Sequence, residues 1–182
     1  MKVVVGVTGA SGVPYALSLL RNLESARVEL VISEDAKKVI AHESDVPLAA
    51  FEKLADATYA NDDVAAPPAS GSHRFDAMVI VPCSMGTLGK VAWGISDNLI
   101  TRAAAVCLKE RRKLILVPRE TPLAANHLEN MLRLTNQGVV ILPAMPGFYH
   151  APKSMDDLVD FVVGRVLDQL GVEHALFRRW KE

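Results

Sequence analysis

A chain of 182 residues, 50% hydrophobic and 23% charged with a formal net charge of −1, carries enough apolar side chain for one core of ordinary size. The near-neutral balance excludes a broad electrostatic footprint for nucleic acid or an anionic membrane, and leaves small anions in a local pocket as candidate ligands. Cys83 and Cys107 form neither a metal-type pair nor a disulfide framework, which points to a reducing compartment. No apolar run approaches transmembrane length, and Met1-Lys2 leads into a glycine loop without a signal-cleavage pattern, so the expectation is a cytoplasmic protein.

In chain order, the β-branched run at residues 3–7 predicts a strand, and Thr8-Gly9-Ala10-Ser11-Gly12 leads into helical spacing over residues 13–23. Ser11 is the expected N-cap, with Pro14 in the first turn, where its missing N–H costs nothing. Such a loop lets the backbone approach a ligand, and the helix start favours an anion such as phosphate. A tight turn without a ligand explains the same residues equally well. Residues 28–32 predict a second strand, with Ser33 either meeting a ligand or capping the helix expected over 34–43. A short helix over 48–55 and a polar, proline-bearing loop over 60–71 follow.

Residues 78–81 predict a third strand, and the loop Pro82-Cys83-Ser84-Met85-Gly86-Thr87 leads into a helix ending near Val91 or Ala92. Ser84 and Thr87 would set hydroxyls beside unpaired N–H groups, suiting a phosphate or the polar edge of a heteroaromatic ring; capping alone also explains them. A long helix is expected from Asp97 to about Arg111, with Arg102 within it and Lys109 to Lys113 at its solvated end. The strand at 114–117 then stops abruptly in Arg119-Glu120 between Pro118 and Pro122. Ligands of parallel sheets sit at that carboxyl edge, which favours a working pair over a surface salt bridge.

A helix over 123–137 with Gly138 as its C-cap, and a fifth strand over 139–142, come next. The loop over 143–152 carries Phe148 and Tyr149, which either plug the core or line a site. Ser154 and Asp157 have capping-box spacing before a helix to Leu170 and Gly171. Arg165 shares a helical face with Leu158, Phe161 and Val162 and there needs a partner, whether a carboxylate, a neighbouring subunit or a bound anion. Phe177-Arg178-Arg179-Trp180 suits a contact surface. The alternation of strands and helices predicts a single α/β domain over residues 1–182 built on a parallel sheet.

Two nearer readings fail on spacing. Tyr149 and Lys153 are four apart, as in a short-chain dehydrogenase, but Pro152 and the cap at Ser154 put Tyr149 in a loop, and the third glycine of a dinucleotide fingerprint is absent. The five histidines show no ligand spacing, and Asp62-Asp63 and Asp156-Asp157 lack an aspartate-rich diphosphate motif, so no catalytic metal is expected.

Taken together, residues 6–12 (GVTGASG), 82–88 (PCSMGTL), 97–102 (DNLITR), 108–112 (LKERR), 119–123 (RETPL) and Phe148-Tyr149 resemble the flavin prenyltransferase family, the UbiX proteins, over nearly the whole chain. The resemblance implies a three-layer, doubly wound parallel sheet of flavodoxin-like or Rossmann-like type, in a homo-oligomer, commonly a dodecamer, that joins a dimethylallyl group from dimethylallyl monophosphate to reduced FMN and supplies prenylated FMN to a decarboxylase. It implies flavin contacts at Gly9, Ala10, Ser11, Ser33, Ser84, Met85, Gly86, Thr87, Arg102 and Arg119. It further implies that Lys109, Glu120, Tyr149 and Arg165 surround the prenyl phosphate, with Glu120 and Lys109 catalytic and Trp180 closing the pocket. Ala105 departs from the pattern, which has an aspartate there. A related cysteine decarboxylase would carry a Pro-x-Met-Asn motif in place of Pro82-Cys83-Ser84-Met85, and a non-catalytic flavin-binding subunit would not need Lys109, Glu120 and Arg165.

Overall fold

Val3, Val5 and Val7 of β1 (Lys2–Val7) enter one apolar cluster and Val4 enters another, so this strand is buried on both faces. The same division recurs in β2 (Arg27–Ile32), β4 (Ala77–Cys83) and β5 (Lys113–Pro118). The computed structural model describes residues 1–181. With the edge strands β3 (Ala57–Ala60) and β6 (Val140–Ile141), these form one parallel sheet in the order β3-β2-β1-β4-β5-β6.

Helices cover both faces and supply the outer layers. The first cluster takes apolar residues of α1 (Val13–Arg21), α2 (Glu34–Glu43), α3 (Leu48–Glu52) and α7 (Met155–Leu170). The second takes those of α4 (Met85–Ala92), α5 (Leu99–Glu110) and α6 (Ala125–Thr135). Among the described residues no helix is long and apolar enough to cross a membrane.

The chain leaves β1 for β2 and β3 on one side and returns to β4 on the other, with Val3 to Gly6 in register with Ala77 to Ile80. Strand order therefore reverses between β1 and β4. The loops that follow these two strands diverge there, opening the crevice in which doubly wound sheets bind ligands.

Several local expectations are corrected. β3 was not foreseen: Ala57-Thr58-Tyr59-Ala60 is a four-residue edge strand, half-buried on one side, and lacks the apolar run that marks the central strands. Without it the remaining strands keep the flavodoxin-like order; with it the sheet has the Rossmann-like one. Ser11 does not cap α1. Gly12 holds that position at φ 123, and Glu43 Oε2 accepts the N–H groups of Gly12 at 2.9 Å and Val13 at 3.1 Å. The helix expected from Asp97 begins at Leu99 instead: Asn98 caps α5, its Oδ1 accepting the Thr101 N–H at 3.0 Å, while Asp97 pairs with Lys90 at 2.6 Å.

The helices expected over 48–55 and 123–137 are shorter, and Gly138, at φ 85, turns the chain three residues beyond Thr135 instead of capping the helix directly. The capping box at Ser154 and Asp157 and the left-handed stop at Gly171 are as expected.

Candidate functional site at the carboxyl edge of the sheet

The β1 and β4 loops are joined by one buried side chain. Thr8 Oγ1 donates to the Pro82 carbonyl at 2.8 Å and accepts the Ser84 N–H at 2.8 Å. This fixes Gly9 and Ser84 on opposite walls of a cleft of about 390 Å³, within the range of small-ligand sites. Thr8 was absent from the expected site, although a hydroxyl at a strand end was visible in the sequence.

Three helix starts face the cleft. Ser33 caps α2, its Oγ accepting the Ala36 N–H at 3.1 Å, and Ser84 caps α4, its Oγ accepting the Thr87 N–H at 3.3 Å and donating to Thr87 Oγ1 at 3.1 Å. The α5 start is spent internally, because Asn61 takes the N–H groups of Leu99 at 2.7 Å and Ile100 at 3.2 Å. The first-turn N–H groups of Met85 and Gly86 in α4 have no helical acceptor, and a Cβ at Gly86 would meet nothing within 4 Å. Gly9 lies against α2: a Cβ there would fall 2.6 Å from Asp35 Cβ and 3.3 Å from its backbone carbon. Glu34, Asp35, Asp62 and Asp97 make the rim acidic, against Lys90 alone as a lysine.

A second group of residues surrounds the α1 start. Arg119 Nε donates to the Ser11 carbonyl at 3.2 Å, and its backbone N–H reaches Cys83 O at 3.4 Å. Glu43 completes this group, and nothing in its local sequence pattern marked it. Burial works to raise its pKa but is outweighed by hydrogen bonds from Ser11, Gly12 and Val13 and by the Arg119 charge, so the net shift is downward. The anion at this helix N-terminus is therefore the protein's own carboxylate. Glu120 is exposed beside Arg119, one oxygen accepting the Thr121 N–H at 3.0 Å.

The remaining expected residues lie apart. Ala10 is buried behind the loop, and Arg102 donates from Nε to Ala69 O at 3.0 Å. Lys109 pairs with Glu110 beside Gly71, eleven residues or about 16 Å along α5 from its capped start. Tyr149 and Trp180 pack edge to face at 5.2 Å. Arg165 is not buried as its helical face suggested: its side chain is 47% exposed and pairs with Asp168 at 2.8 Å. Burial pushes the Cys83 thiol far up and that of Cys107 up to about 12, so neither is a nucleophile at neutral pH. Among the described residues no group of three or more His, Cys, Asp or Glu is placed to hold a metal ion.

A hydroxyl-lined crevice at the strand-order switch of a doubly wound sheet defines the class of nucleotide- and flavin-binding α/β proteins. The Flavoprotein family model matches residues 1–167. A flavin prenyltransferase UbiX of Thermoplasma acidophilum is 57% identical over 180 residues, covering 99% of this chain and 100% of the relative. One of Methanocaldococcus jannaschii is 54% identical, covering 99% and 98%. A UbiX protein (PadA1) solved with FMN and dimethylallyl pyrophosphate superposes with a TM-score of 0.97 at 44% identity, covering 100% of this chain and 97% of that one. The chain belongs to the flavin prenyltransferase family. Its likeness to the peptidyl-cysteine decarboxylase EpiD, 20% identical with a TM-score of 0.65, is one of fold alone.

Proposed function

We propose that this chain transfers a dimethylallyl group from dimethylallyl monophosphate to N5 and C6 of reduced FMN, giving prenylated FMN for a partner decarboxylase. The observation that carries the reading is the donor set of the crevice, where Ser33, Ser84, Thr87 and the open α4 start meet the close backbone approach at Gly9. These groups fit a flavin: hydroxyls and N–H groups suit its polar ring edge and side chain, and the volume suits a small ligand. Gly9, Ala10, Ser11, Ser33, Ser84, Met85, Gly86, Thr87, Arg102 and Arg119 are its assigned contacts. When bound, reduced FMN supplies the nucleophile for carbon transfer.

The protein's own task is then to hold the donor, balance charge and move a proton. Lys109, Arg165 and Tyr149 bind the prenyl phosphate, and charge-assisted bonds from two cations let a monophosphate leave without a metal. Glu120 exchanges a proton with the departing phosphate. The ring of Trp180, closing the pocket, steadies developing allylic cation charge by about 0.5 to 2 kcal/mol.

Lys109 lies far along α5 from the cleft of its own subunit, so this reading completes each pocket with residues from neighbouring copies. A dodecameric assembly is consistent with a UbiX-like decarboxylase of Escherichia coli O157:H7, 48% identical, TM-score 0.98 and covering 100% of both chains, which is described as dodecameric. A cytoplasmic setting, where reduced flavin is available, completes the proposal. The test is anaerobic incubation of the purified protein with reduced FMN and dimethylallyl phosphate, followed by mass spectrometry of the extracted flavin. Addition of one prenyl unit is expected, and unmodified flavin would overturn the assignment.

A further inference from the structure

Gly171 ends α7 in a left-handed turn, φ 74, and residues 172–181 fold back against the helix they have just left. The contact is built into the helix. A Cβ at Gly164 would lie 2.6 Å from the His174 ring and 2.5 Å from the Phe177 ring, so glycine provides the notch in which the tail seats. Phe177 packs on Phe161 with centroids 5.0 Å apart, and Phe161 meets Tyr149 edge-on at 5.6 Å. Trp180 ends the row on Tyr149.

One carboxylate ties this tail to the helix. Asp168 Oδ2 accepts from Arg165 Nη1 at 2.8 Å, and its Oδ1 accepts from His174 Nε2 at 3.1 Å and Arg179 Nη2 at 2.8 Å. Arg179 Nη1 lies 3.4 Å from Oδ2. The Leu176 N–H donates to His174 Nδ1 at 3.3 Å, which places the ring proton on Nε2, aimed at Asp168. A carboxylate has about four acceptor positions, and here three are directed to the tail and one to Arg165.

We propose that Asp168 is a positioning residue that couples Arg165 to the C-terminal tail, holding Trp180 on Tyr149 at the prenyl end of the site. The inference deepens the proposed function and rests on its assignment of Tyr149, Arg165 and Trp180 to the prenyl phosphate. A phosphate that draws Arg165 off Oδ2 leaves that oxygen to Arg179 alone, so the long Nη1 arm of its fork, now at 3.4 Å, can shorten toward the 2.8 Å of the Nη2 arm. Substrate phosphate thereby tightens the tail, and the tail in turn encloses the substrate.

The experiment uses full-length, FMN-loaded protein carrying Trp93→Phe, which leaves Trp180 as the sole tryptophan of the two in the chain. Trp180 is already 65% exposed, so its acrylamide quenching is expected to rise by at most about 1.5-fold in Asp168→Asn and in Gly164→Ala, which displaces the tail without changing charge, and to stay near the parent value in Asp168→Glu. Dimethylallyl phosphate should protect Trp180 in the parent and not in Asp168→Asn. The KM for dimethylallyl phosphate should rise about tenfold in both tail-freeing variants, with kcat within about twofold and FMN affinity unchanged. Unchanged quenching in both variants, or a freed tail with an unchanged KM, overturns the coupling. Trp180 freed in the variants, with a parent protein that prenylates no flavin, would overturn the functional reading beneath it, and with it the link to substrate.

Discussion

The Thr8 hydroxyl accepts the Ser84 N–H at 2.8 Å across the point where strand order reverses, so one side chain sets the separation of the two loops that wall the cleft. Thr8→Val keeps the shape but leaves the partly buried Ser84 N–H without its acceptor. A loss of about 1 to 3 kcal/mol in urea unfolding is expected, together with weaker FMN binding by titration. Unaltered FMN affinity would show that the loop spacing does not govern the site.

Gly9→Ala tests the close approach to α2. The added methyl would meet Asp35 Cβ at 2.6 Å and its backbone carbon at 3.3 Å, neither of which is the loose end of a side chain. Destabilisation of about 1 to 3 kcal/mol is expected, because α2 or the loop must shift. Gly86→Ala is the control: its Cβ would enter open space, so thermal unfolding should barely change while flavin affinity falls.

Glu43 gives the acid limb of stability a specific origin. Its folded pKa lies below the ordinary glutamate value, so it binds protons more weakly in the folded state than in the unfolded chain. The stabilisation is present above the unfolded pKa and is lost as pH falls through the folded one. Thermal midpoints followed from about pH 6 down to about pH 3 should drop less steeply in Glu43→Gln than in the parent. An identical slope would remove Glu43 from the linkage.

Glu120→Gln separates proton transfer from charge pairing. Gln keeps the size and the acceptor oxygen, so single-turnover prenylation at saturating dimethylallyl phosphate should slow by about 10² to 10⁴, with FMN affinity little changed. Lys109→Ala should cost about 1.5 to 3 kcal/mol, partly recovered by excess substrate where the lost contact acts in ground-state binding. A parent-like rate in Glu120→Gln would take this carboxylate out of the chemistry.

The sheet and most helix limits could be read from the chain because their causes are local. A strand buried on both faces needs a continuous apolar run, as in Leu114-Ile115-Leu116-Val117, and a helix start needs a nearby oxygen, as at Ser33, Ser84 and Ser154. The hydroxyls of Ser33, Ser84 and Thr87 in the cleft were legible for the same reason, whereas that of Thr8, which bridges two loops, was not.

Partners distant in sequence were not. Glu43 reaches the α1 start from the far end of α2, and Ser11, the local candidate, yields the cap to Gly12. The Asp168 partner of Arg165 is only three residues on, one of the alternatives the sequence left open, but that Asp168 also holds His174 and Arg179 depends on a tail that returns because Gly171 reverses the chain and Gly164 leaves it room. β3 escaped notice because an edge strand is defined by pairing to β2, and Ala57-Thr58-Tyr59-Ala60 has too little apolar character to declare it. Local propensity and burial pattern are written in neighbouring residues. The donor that meets a given carboxylate is decided by which segments the closed sheet brings within about 3 Å, and only the tertiary structure settles that.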